Sequence, residues 1–315
     1  MVGVDQLRFE GMPRRLFAAT PSRLNAWLEC PRRYRMTYVD RPPPRKGPPW
    51  AHNSLGASVH NALAGWWRLP VAKRTPDAAG RLLAAGWLGD GYRDEVQSKE
   101  VRERARDWVV RYADRLDPHD EPLGVERIVA TRTETLAVSG RIDRLDGRGD
   151  ELVVVDYKTG RHTLSTDDAR GSLALALYAL AAERTLRRPC RRVELHHLPT
   201  GQVISWEHRP ESLQRHLSRA EEIGAECAAA QSALAGDVGA AVTRGQGETV
   251  TGNVGQAVTG GLDEAVTGGV GEVDSALVDR LFPPRVGAQC GWCDYRAHCP
   301  EGSAGYPARE PWAGL

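Results

Sequence analysis

The chain has 315 residues, with 42 Lys and Arg against 41 Asp and Glu for a formal net charge of +1, and is 41% hydrophobic and 26% charged. A chain of this length buries a sizeable core in one large domain or two small ones, and its composition is that of an ordinary globular protein. No apolar run approaches the roughly 20 residues of a membrane span, and residues 1–20 mix Asp5, Arg8, Glu10, Arg14 and Arg15 among their apolar positions, unlike a secretory signal; a cytoplasmic protein with no membrane partner is expected.

Residues 1–118 read as a helical N-terminal region. Thr20 to Tyr38 has Leu24, Trp27, Leu28 and Tyr34 at near-helical spacing behind a Thr20 or Ser22 cap. Pro42, Pro43, Pro44, Pro48 and Pro49 then impose a loop. Ser54 to Leu69 reads as a second helix bearing His60, Leu63, Trp66 and Trp67, and Pro76 to Leu88 and Ser98 to Leu116 as two more.

The pattern changes in residues 119–237. Val125 to Val138 alternates as a strand does, Gly140 to Leu145 continues it, and Leu152 to Tyr157 is an apolar strand ending in charge. Asp146-Gly147-Arg148-Gly149-Asp150 between the last two is a turn signal. Thr166 to Leu186 reads as one buried helix, Val193 to Leu198 and Val203 to Trp206 as a hairpin, and Glu211 to Ala235 as a long helix. Residues 238–273 carry Val-Thr at Val242, Val250, Val258 and Val266, a Gly-, Thr- and Ala-rich repeat too poor in apolar surface to join a core, and expected to be disordered. Residues 274–315 begin with a short helix, Ser275 to Leu281, and carry a cysteine trio.

Two constellations carry chemistry. If the hairpin turns about Arg148-Gly149, Asp143 lies near Val154, one diagonal step from Asp156, and Lys158 shares their face. Two carboxylates about 5 Å apart repel by roughly 3 kcal/mol at an effective dielectric near 20. A hard divalent cation, Mg²⁺ or Mn²⁺, removes that repulsion and acidifies a bound water for attack on phosphorus. Lysine is rare here, four against 38 arginines, and its compact charge suits a single oxygen. The alternative, a merely solvated hairpin, is disfavoured because Val153, Val154 and Val155 make the second strand a buried one.

The other constellation is Cys30 with Cys290, Cys293 and Cys299; Cys190 and Cys227 stand apart and read as buried structural thiols. In a cytosolic chain the four suggest metal or cluster ligation rather than disulfides, and spacing alone puts Zn²⁺ ahead. Joining ligands about 260 residues apart costs near 5 kcal/mol of loop-closure entropy, which a thiolate-bound centre offsets. Basic clusters at Arg32, Arg33 and Arg35, at Arg41, Arg45 and Lys46, and at Arg187, Arg188, Arg191 and Arg192 suit either phosphates or a solvated face.

Gly140-x-x-Asp143-x-x-Asp146, an apolar strand and Asp156-Tyr157-Lys158-Thr159-Gly160 resemble the core of the PD-(D/E)xK nuclease superfamily, most closely its RecB-like exonuclease branch. The resemblance implies an α/β fold: a central mixed sheet flanked by helices, with a restriction-endonuclease-like core, a helical N-terminal region and a C-terminal cysteine clasp. It implies a catalytic Lys158 and metal ligation by Asp143, Asp156, Tyr157 and an upstream histidine, matched by His60 in Leu55-Gly56-Ala57-Ser58-Val59-His60. His196 and His197 match nothing, and Glu126 and Glu134 are left unassigned. One departure stands out: the family's Gln four residues before a helical Tyr is Ala174 here, before Tyr178. The cysteine pattern also resembles the [4Fe–4S] arrangement of some RecB-like nucleases, including AddB subunits, and favours a structural iron–sulfur cluster over Zn²⁺. The expected function is Mg²⁺-dependent hydrolysis of DNA in repair or recombination; the alternatives are a non-catalytic DNA-binding module and a scaffold subunit of a helicase–nuclease complex. No Walker A sequence is present, so any helicase is a separate partner.

Overall fold

The computed structural model describes residues 16–245 and 275–315. These form two compact units. One comprises the residues up to Pro21, Asp117–Lys158 and Thr163–Ala225, and the other comprises Ser22–Leu116, Thr159–His162 and Glu226–Leu315.

The first unit is built on a mixed six-stranded sheet in the order β1-β3-β4-β5-β6, with β2 also paired to β3. Its strands are β1 (Phe17–Ala19), β2 (Gly124–Arg132), β3 (Leu136–Arg148), β4 (Glu151–Lys158), β5 (Arg192–His197) and β6 (Gln202–Glu207). The single strand expected from Val125 to Val138 is instead two. The side chain of Thr133 accepts the backbone N–H groups of Thr135 and Leu136, closing a turn that folds β2 antiparallel onto β3. That turn contains no Gly or Pro, so β-propensity runs through it uninterrupted in the sequence. The three-residue β1 was likewise not anticipated in the N-terminal region.

β3 is long enough to serve three partners. β2 lies along one edge from Arg132↔Ala137 to Gly124↔Leu145. On the other edge β1 pairs in parallel with Leu136–Val138, and β4 pairs antiparallel with Arg144–Arg148. The β3–β4 hairpin closes at Arg148↔Glu151 around Gly149-Asp150, with Gly149 in the left-handed region at φ 57°. This turn lies one residue further along than the sequence reading placed it, which moves the register by two and keeps every side chain on its expected face.

Parallel pairing of β4 with β5 needs a crossover, and two helices supply it: α6 (Thr166–Gly171) and α7 (Leu173–Leu186). The one helix expected here is broken at Ser172, whose extended backbone and side chain cap α7 through Leu175. Leu175, Ala176, Ala179 and Ala182 of α7 pack with Leu145, Leu152, Val154, Val193 and Leu195 of the sheet in a buried core. The small alanines let the helix approach the sheet closely.

The second unit is helical. Pro31, which has no N–H, splits the expected Thr20–Tyr38 helix into α1 (Pro21–Glu29) and α2 (Pro31–Tyr38), leaving Cys30 extended between them. There follow α3 (Ala51–Trp67), α4 (Pro76–Ala85) and α5 (Glu95–Ala113), then the later part of α8 (Pro210–Gly245), α9 (Ser275–Leu281) and α10 (Pro300–Gly305). α8 continues ten residues beyond its expected end at Ala235, to Gly245; the rest of the repeat expected in 238–273 lies outside the described residues. Trp27 anchors this unit, edge-on to Tyr34 and Phe282, with its indole N–H on Glu226 at 2.8 Å. Among the described residues no helix is long and apolar enough to cross a membrane. Cys190 and Cys227 are fully buried, and burial pushes both thiols up to about 12, as inert core residues should behave.

Candidate active site

The β3–β4 ladder ends at Arg144↔Val155, and the next residues outward, Asp143 and Asp156, stand opposite each other where it opens. They are therefore directly across from one another rather than diagonal. The Asp143 carboxylate accepts the backbone N–H of Tyr157 at 2.8 Å, so a side chain takes over where backbone pairing stops. Lys158 shares the face of Asp156 and lies 2.6 Å from its Oδ2, with its side chain 46% exposed against 18% for the aspartate. Two carboxylates and an ammonium thus meet at the open end of a buried strand.

Glu126 joins them. Folding β2 back on β3 sets it opposite Asp143 in the register that runs through Val125↔Arg144 and Arg127↔Ile142. Its backbone adopts φ 51°, a left-handed conformation that costs a non-glycine residue roughly 1–2 kcal/mol. Its carboxylate lies within 4.8 Å of that of Asp143 and is ion-paired to Arg141 at 2.9 Å. Glu134 sits in the exposed β2–β3 turn instead. Placing that turn is what would have selected Glu126 from the sequence.

Tyr178 of α7 closes the same face. Burial, reinforced by Asp156 and Asp143, raises its phenol to about 12, so it stays protonated at neutral pH. Tyr157 lies the other way: its ring is buried against His196, and its hydroxyl accepts from Arg144 at 3.5 Å. Any ligand that Tyr157 supplies to this face must come from its main chain. His60 lies within α3 of the helical unit and is half-buried.

Behind the carboxylates, on the reverse face, runs a buried charge network. Arg144 pairs with Asp146 at 2.9 Å, Arg148 with Asp146 at 3.1 Å and with Glu194 at 2.6 Å, and Glu194 meets His196 at 3.0 Å. Burial alone would raise the Glu194 carboxyl, but hydrogen bonds from His196 and Arg148 outweigh it and bring it to about 2. His197 is bonded to Thr200 at 2.8 Å. Each of these histidines thus has a side-chain partner within the sheet unit.

Clustered carboxylate oxygens with an adjacent lysine are a donor set for a hard divalent cation beside a phosphate. The family model of the PD-(D/E)XK nuclease superfamily matches residues 18–300. The chain belongs to this superfamily. No curated protein matches the chain. Among solved structures it is similar to a protein from Eubacterium rectale, provisionally named an exonuclease, at 9% identity and a TM-score of 0.43, covering 74% of this chain and 87% of that one.

Within the helical unit, Cys30, Cys290, Cys293 and Cys299 line one pocket together with Arg32, Arg33, Arg285 and Arg296. The Cys30-Pro31 break presents the first thiol, to which the Arg285 backbone N–H points at 3.5 Å. Cys290 lies within a 3₁₀ turn (Ala288–Trp292), Cys293 follows it directly, and Cys299 precedes α10. A β-carbon at Gly302 would lie 3.3 Å from the sulfur of Cys299 and 3.4 Å from that of Cys290, so a side chain there would fill the space between thiol ligands. Arg32, almost fully buried, reaches Cys299 at 3.9 Å and pairs with Asp279 at 2.7 Å and with Glu301. A convergent thiol set ringed by arginines fits a centre that is anionic once its thiols ionise.

Proposed function

We propose that this superfamily member is a divalent-metal-dependent DNA exonuclease of the RecB-like type, acting in repair or recombination in the cytoplasm. The observation that carries the reading is the convergence of Asp143, Asp156 and Lys158 on one sheet face, with Glu126 alongside. Asp143, Asp156, Glu126, the main chain of Tyr157 and, by the family's pattern, His60 would hold Mg²⁺ or Mn²⁺. When bound, the ion polarises a phosphoryl oxygen and lowers the pKa of water. Lys158 then holds the attacking water or neutralises charge growing on the phosphate, and the Tyr157 N–H keeps the Asp143 carboxylate aimed at the site.

Cys30, Cys290, Cys293 and Cys299 are proposed to carry a [4Fe–4S] cluster with a structural role, Zn²⁺ being the alternative for four thiolates. The partners of this reading are DNA and, where unwinding is needed, a separate helicase subunit. Ala174 supports a second reading, a DNA-binding or scaffold subunit with weakened chemistry, because a methyl group in the first turn of α7 cannot make the contacts of a glutamine.

Anaerobically purified protein incubated with end-labelled single- and double-stranded DNA plus Mg²⁺ or Mn²⁺ separates the two. Cleavage that EDTA abolishes is expected. Binding without cleavage under any of these conditions would favour the second reading and sink the first.

A further inference from the structure

Arg141 has no role in the reading above. It lies two residues before Asp143 on β3. Its guanidinium contacts Glu126 at 2.9 Å and bears electrostatically on Tyr178. The two partners differ in exposure: the Arg141 side chain is 68% exposed, that of Glu126 only 16%. The carboxylate is a fixed part of the site, set by a strained backbone, whereas the arginine reaches it along a flexible, solvated arm.

An ion pair this exposed on one side adds little to folding stability, so holding the fold together is a poor account of it. Its position suggests another. The same carboxylate lies within 4.8 Å of that of Asp143, as a shared cation requires. A guanidinium and a divalent cation on one carboxylate repel each other, and the more densely charged ion displaces the other. Released, Arg141 stays beside the site, where its planar fork suits the oxygens of a phosphodiester.

Building on the metal-dependent nuclease reading, we propose that Arg141 is a displaceable counter-charge. It neutralises Glu126 before metal binds, yields that carboxylate to the metal, and then clamps a phosphate of the substrate strand. Metal binding and strand capture are thereby coupled through one side chain, and its removal should affect them in opposite directions.

The test uses the full-length protein and its Arg141→Gln and Arg141→Lys variants. Mn²⁺ affinity is measured by titration calorimetry without nucleic acid. Binding of a single-stranded oligonucleotide is measured across a salt series, with Ca²⁺ in place of Mg²⁺. Arg141→Gln should bind Mn²⁺ about threefold to fivefold more tightly, the scale of one partly exposed ion pair. It should bind the oligonucleotide less tightly, with a salt slope shallower by about 0.7, the value for one lost single-strand phosphate contact. Arg141→Lys should keep most of the salt slope. Unchanged or weaker Mn²⁺ binding in Arg141→Gln, or an unchanged salt slope, would overturn the proposal while leaving the nuclease reading in place. A wild type that binds neither Mn²⁺ nor nucleic acid would overturn both.

Discussion

The ring of Tyr178 lies directly over Gly140: a β-carbon at residue 140 would sit 2.2 Å from the ring edge. Glycine is required there by close approach, not by backbone conformation. Gly140→Ala should cost about 1–3 kcal/mol, the usual range for overpacking, and should push Tyr178 off the carboxylates. Because the two residues share one contact, the loss in Gly140→Ala/Tyr178→Leu should be smaller than the sum of the single losses. Denaturant unfolding of all three variants measures this, and strict additivity would refute the packing argument.

Asp156→Ala and Lys158→Ala should each reduce cleavage by at least about a hundredfold, the lower range for a positioned catalytic group. The half-exposed Lys158 should lose no more than about 1 kcal/mol of stability with its ion pair. Cleavage assays beside thermal melts separate the two effects; wild-type rates in both variants would show that the site lies elsewhere.

Anaerobic protein should be brown, with broad absorbance near 400 nm and about four irons per chain. Serine at Cys30, Cys290, Cys293 or Cys299 should bleach it and expose its termini to protease, whereas Cys190→Ser and Cys227→Ser should do neither. Colourless protein with stoichiometric zinc would replace the cluster but keep the clasp. A stable metal-free chain would remove both.

Acid should lower the stability of the sheet unit in two stages. Burial lowers the His196 imidazole below its usual 6.5, so its contribution is complete above that value and is lost as pH falls through the lowered one. Glu194, held at about 2 against a usual 4.5, contributes fully above 4.5 and loses its share as pH falls toward 2. Urea unfolding at pH 7, 5.5 and 3 should therefore give successively lower stability, and Glu194→Gln should flatten the lower stage. Equal stability at pH 7 and pH 3 would contradict this network.

The hairpin that carries Asp143, Asp156 and Lys158 was legible in the sequence because its signals are local: an apolar strand, a glycine-bearing turn and period-2 placement of those residues. Its register was read two residues out because Asp146 to Asp150 offers two adjacent turns, yet an even error spares the faces. Glu126 and Arg141 stayed hidden for a non-local reason. Their pairing depends on a turn at Thr133 built from a side-chain cap, and the β-branched residues around it read as continuous strand. The helix breaks at Cys30 and Ser172 escaped for a related reason: apolar periodicity continues across both, and only a proline and a cap mark them.

Cys30 sits at the kink between α1 and α2, while its three pocket mates come about 260 residues later. This order has a consequence during synthesis. Cys290 leaves the ribosome about 260 residues after Cys30, roughly 13–50 s later at ~5–20 residues per second. Throughout that interval the first thiol has no co-ligands to share a metal with and is open to oxidation or to capture by a stray thiol. Any centre that needs all four sulfurs can be installed only after Cys299 has been made.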